Sequence, residues 1–106
     1  METNSYVIAS IKWLQTANED LIHHLRDNKI SITGYRSTDG AAGLFSVVVE
    51  FLDVPSNGPR GSKKVKIYAL VEDMESRLPD LGELLVLTAG TRPVAECIVV
   101  EKITKG

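Results

Sequence analysis

Lys64-Val65-Lys66-Ile67-Tyr68-Ala69-Leu70-Val71 is the stretch that decides the fold. Val65, Ile67, Ala69 and Val71 share one parity, while Lys64, Lys66 and Tyr68 share the other. Successive side chains of a strand point to opposite faces, so this alternation predicts a strand with a dry face and a wet one. A helix would scatter the same residues around its axis. The segment reads as sheet.

Working outward, five more runs have strand length: Tyr6 to Leu14, Lys29 to Tyr35, Leu44 to Leu52, Glu83 to Thr88 and Pro93 to Ile103. Ile30 and Ile32 alternate with Ser31 and Thr33 in the second run. The run Leu44 to Leu52 is almost continuously apolar, which predicts protein against both of its faces. Valine, isoleucine and threonine make up about a quarter of the chain, and β-branched residues favour strands. The separators carry turn chemistry. Asp39-Gly40-Ala41-Ala42-Gly43 and Pro55-Ser56-Asn57-Gly58-Pro59-Arg60-Gly61 carry residues that tolerate positive φ, joined in the second by rigid prolines. Thr88-Ala89-Gly90-Thr91-Arg92 has hairpin length. Six short strands with such turns predict a small all-β barrel or sandwich.

Two segments do not read as strand. Thr16-Ala17-Asn18-Glu19 has capping-box spacing, and Leu21, Ile22 and Leu25 then share one helical face, so a short helix is expected near 17–27. Between Glu72 and Gly82, Met74, Leu78 and Leu81 are expected to anchor a loop or a single helical turn that Pro79 limits.

The 106 residues suit one domain, with 43% hydrophobic and 25% charged residues, as in an ordinary globular protein. The formal net charge of −2 argues against a nucleic-acid or membrane partner. Met1-Glu2-Thr3-Asn4 has no signal-peptide pattern, and no run approaches the ~20 apolar residues of a membrane span, so a cytoplasmic address is expected. Cys97 is the only cysteine, excluding an internal disulfide, and its apolar neighbours predict a small buried side chain.

Candidate chemistry is sparse. On a helix near 17–27, Asp20, His23, His24 and Asp27 would share the polar face, where they could hold a metal or form an acid–base pair, or simply be solvated. Arg60, Lys63, Lys64 and Lys66, with Tyr68 beside them, form the only basic cluster, suited to contacting phosphate or stacking a base, or simply to solubility and the discouragement of edge pairing. The acidic residues Glu72, Asp73 and Glu75 would suit a basic partner or solvent. Phosphate-loop, dinucleotide and nucleophile-elbow motifs are absent from the sequence, so no enzyme and no cofactor is expected.

The order of strands and turns resembles the third domain of elongation factor EF-Tu. Three stretches carry the resemblance: Gly34-Tyr35-Arg36, Gly58-Pro59-Arg60-Gly61 followed by Val65 to Val71, and the closing hairpin Leu87 to Val100 with its Gly90 and Arg92. It spans about Tyr6 to Ile103 and departs at Ser37, at Thr91 and over Thr16 to Arg26, near the surface that family presents to tRNA. The resemblance implies a free-standing six-stranded antiparallel Greek-key barrel from a bacterium, without nucleotide hydrolysis. The expected function is then a protein-binding module using Tyr35, Arg36, Arg60, Lys64, Lys66 and Arg92. Its partner would be a toxin or a translation factor; in the concrete version it is an immunity or antitoxin protein occluding a toxin that acts on translation. The alternatives are an RNA- or tRNA-binding accessory barrel and a small metal-dependent enzyme using His23 or His24.

Overall fold

A computed structural model describes residues 5–14, 29–52, 63–90 and 92–103. Six strands form where the alternation predicts them: β1 (Tyr6–Trp13), β2 (Lys29–Arg36), β3 (Phe45–Phe51), β4 (Lys64–Ala69), β5 (Leu84–Ala89) and β6 (Arg92–Ile103). They close into an antiparallel barrel in the order β1-β4-β3-β2-β5-β6, with β6 returning to β1. The meander β2-β3-β4, with β5 coming back beside β2, is a Greek key. Closure pairs every strand on both sides and leaves no open edge. Among the described residues no α-helix occurs, and no helix is long and apolar enough to cross a membrane. The helix expected near 17–27 lies outside the described residues.

The barrel interior is filled by the inward parity of each strand. Val65, Ile67 and Ala69 of β4 meet Val47 and Val49 of β3 and Val7 and Ala9 of β1 in one buried cluster. β4 ends at Ala69, and Val71, expected on the dry face, is 50% exposed because the chain has already left the ladder. The expectation of protein on both faces of β3 holds only in its middle. Outward Val48 is buried, whereas Ser46 and Glu50 are half-buried and the flanking Leu44 and Leu52 are exposed. At one barrel end Trp13 stacks on Phe51, ring centroids 6.1 Å apart.

The crossover from β4 to β5 closes the opposite end. Glu72–Arg77 form a 3-10 helix, Met74 packs partly on the core, and Leu78 and Pro79 are fully buried. Leu81, expected to anchor this segment, is instead 66% exposed. Lys102 Nζ donates to Asp80 Oδ1 at 2.6 Å, and the amide of Gly82 donates to the carbonyl of Val99, so the crossover is tied to β6.

Two glycines of the expected motifs, Gly34 and Gly90, have structural reasons. A Cβ on Gly34 would stand 3.0 Å from the Val86 carbonyl oxygen and 3.2 Å from Leu87 Cδ2, so a larger residue there would require β5 to give by a few tenths of an ångström. Gly90 turns the β5–β6 hairpin at φ 66°, a region side chains disfavour. Cys97 is buried as expected, and desolvation, then the charge of Glu96, pushes its thiol up to about 12.

Candidate functional site

Among the described residues the barrel interior is apolar, so the candidate binding groups described are those of the outer face. Of the six expected partner-binding residues, Lys64 and Lys66 project outward from β4 and share a patch. Tyr35 lies half-buried on β2, opposite Val86 of β5. Arg36 closes β2 and is held within its own turn. Its Nε donates to Asp39 Oδ2 at 2.8 Å and its Nη2 to Asp39 Oδ1 at 3.1 Å. The hydrogen bond from Arg36 holds the Asp39 carboxyl below its ordinary range, and the same bond raises the guanidinium. Arg92 is exposed at the start of β6, at the opposite end of β5 from Arg36. Arg60 lies outside the described residues, as do Asp20, His23, His24 and Asp27. The expected set is therefore not one patch; only the β4 pair is brought together.

The register shows what surrounds that pair. One ladder row runs Leu84, Ile98, Ser10, Lys64 across β5, β6, β1 and β4. The next runs Glu101, Ile8, Lys66, Glu50, Lys29 across β6, β1, β4, β3 and β2. Between the rows β6 carries a bulge, since Ala9 pairs with Val99 and Ile8 with Glu101, leaving Val100 without a partner on β1. Ile98 and Val100 are 51% and 47% exposed. An apolar ridge on β6 and a cationic ridge on β4 thus flank β1, whose outward Ser10 and Ile8 form the floor.

The cationic ridge is also aromatic. Lys66 faces Glu50 across the ladder, yet its ammonium lies 4.4 Å from the Tyr6 ring centroid and 5.9 Å from that of Tyr68. A cation at those distances is attracted by the ring faces, and both rings stay half-buried beside it. Tyr6, Ile98 and Val100 escape a sequence reading built on basic residues. A signal was present: in Val94 to Val100, apolar residues occupy both parities, one more face than a barrel interior can take.

Fold and surface define a closed six-stranded Greek-key barrel with a mixed apolar and cationic outer face. No family model, curated protein or solved structure matches the chain.

Proposed function

We propose that the protein is a non-enzymatic module that docks on another protein, in its most concrete form an immunity or antitoxin protein occluding a toxin that acts on translation. The observation that carries the docking reading is the apolar ridge of β6. Ile98 and Val100 point away from a core that is already filled, on a barrel with no edge to protect. Apolar side chains gathered on an outer face mark interaction sites. Kinship with the third domain of elongation factor EF-Tu is part of the proposal, supported by the six-stranded Greek key and by the glycine turn of its last hairpin. The test is to co-purify the protein with the product of its neighbouring gene and add both to a cell-free translation reaction. A stoichiometric complex that relieves inhibition by that product supports the immunity version. Failure to bind and to relieve inhibition removes it.

A second reading, RNA or tRNA binding, has one observation in its favour: Lys66 beside two tyrosines with Lys64 on the same strand. Against it, Glu50 and Glu101 stand in the same ladder row as Lys66, and Glu96 pairs with Lys12. Titrating tRNA at two salt concentrations decides the matter, because phosphate contacts lower affinity steeply as salt rises.

A further inference from the structure

We propose that the outer face of β6-β1-β4 is the docking surface and that its occupant is an amphipathic protein segment with one apolar edge and one acidic edge. The inference rests on the reading of the chain as a protein-binding module and names its surface and partner class.

Three observations favour that occupant. Ile98 and Lys64 lie in one row with only Ser10 between them, so the apolar and cationic ridges are two strand spacings apart, about 10 Å. A helix with its side chains is about 10–12 Å across, so one segment laid along β1 touches both ridges. The apolar edge would meet Ile98, Val100 and Ile8, and the acidic edge Lys64 and Lys66. Lys66 is pre-positioned: the tyrosines hold its ammonium on this face rather than over Glu50. The charge pattern also selects against uniform polyanions. Glu101 borders the apolar ridge and Glu96 stands opposite Lys12, where a nucleic acid or an anionic bilayer would bring further negative charge. An amphipathic segment lying along β1 can place its acids between β1 and β4, on the side of Lys66 that faces Tyr6 and away from Glu50 on β3 and from Glu96 and Glu101 on β6.

The experiment is a selection of random peptides of about 16 residues, long enough to follow β1, on the intact protein. Anisotropy titrations of the enriched peptide follow, against the parent, Ile98→Ser, Lys66→Glu and Lys29→Glu. Lys29→Glu makes the same charge change off the face. Lys66→Gln removes the charge without adding a carboxylate beside Glu50, and replaces Lys66→Glu if that variant melts early. Expected are peptides combining Asp or Glu with large apolar residues. Affinity should fall at least about tenfold on Ile98→Ser and on the Lys66 variant, and hardly on Lys29→Glu. Peptides indifferent to both face variants overturn the assignment of this surface and leave the module reading intact. Basic or neutral peptides, or no enrichment, overturn the partner class. Binding of single-stranded RNA or phosphatidylserine vesicles with no peptide enriched overturns the proposal and the protein-docking reading together.

Discussion

β4 and β6 are both neighbours of β1, yet they treat alternation differently. Along β4 it is strict. Val65, Ile67 and Ala69 are buried, Lys64 is exposed, and Lys66 and Tyr68 are half-buried. Along β6 the inward set is Val94, Ala95, Cys97 and Val99, but the outward set mixes Glu96 and Glu101 with Ile98 and Val100. β4 carries what a barrel strand needs for folding and solubility. β6 also carries Ile98 and Val100, half-exposed apolar side chains that lie outside the buried core cluster. Contiguous apolar surface of this kind is what the proposed docking would use, so the difference between these strands separates what the fold requires from what a partner would bury.

The largest effect is expected from the buried face of β4. Ile67 is fully buried at the centre of the cluster, and burial of such a side chain is worth about 1.5–3 kcal/mol. A lysine in its place adds the larger penalty of an unpaired buried charge. Against a typical stability of about 5–15 kcal/mol, Ile67→Lys should abolish the cooperative thermal transition. Lys66→Ile should keep it. The opposite result would invert the register of β4.

Gly34→Ala comes next. The new Cβ would press on the Val86 carbonyl oxygen and Leu87 Cδ2, forcing β2 and β5 apart, and overpacking of this kind costs about 1–3 kcal/mol. Denaturant unfolding should show a lowered midpoint with an unchanged slope.

Cys97 gives the third effect, one of pH. Its folded thiol titrates at about 12 against an ordinary value of 9.0, so above pH 9 the unfolded chain releases a proton that the folded one retains. Stability contributed by the neutral thiol is complete below pH 9 and is lost as pH rises toward 12, at a limiting slope of about 1.4 kcal/mol per unit. Cys97→Ala should flatten that part of the stability–pH curve. In the native protein, an aromatic disulfide reagent should label Cys97 only as fast as the barrel unfolds.

The smallest expected effect sharpens the contrast with Ile67. Ile98→Ser should lower stability by no more than about 1 kcal/mol, the span of strand propensity, because half of the side chain is already in water. If the midpoint fell as far as for a core truncation, the ridge would belong to the fold and would cease to argue for a partner.

Each of the six strands could be located from local patterning, because the signal lies between residues two apart: Ile30 and Ile32, or Val65, Ile67 and Ala69. The burial of Cys97 and the turn at Gly90 were legible for the same reason, being properties of immediate neighbours. The candidate face was only half legible. Lys64 and Lys66 stood out as a cluster, but nothing local joins them to Tyr6, Ile98 and Val100.

What the sequence alone determined is therefore the set of strands, their inward residues and their turns, all consequences of side-chain alternation and backbone sterics. Tertiary structure decided what adjacency decides. It exposed Val71 and Leu81 where the chain leaves the ladder, turned Arg36 onto Asp39, and set Ile98 and Lys64 on either side of Ser10. It also joined Thr33 and Thr88, 55 positions apart, by a 2.6 Å hydroxyl contact. Such neighbours are chosen by barrel closure and cross-strand register, which depend on every strand at once, and periodicity within one strand carries no record of them.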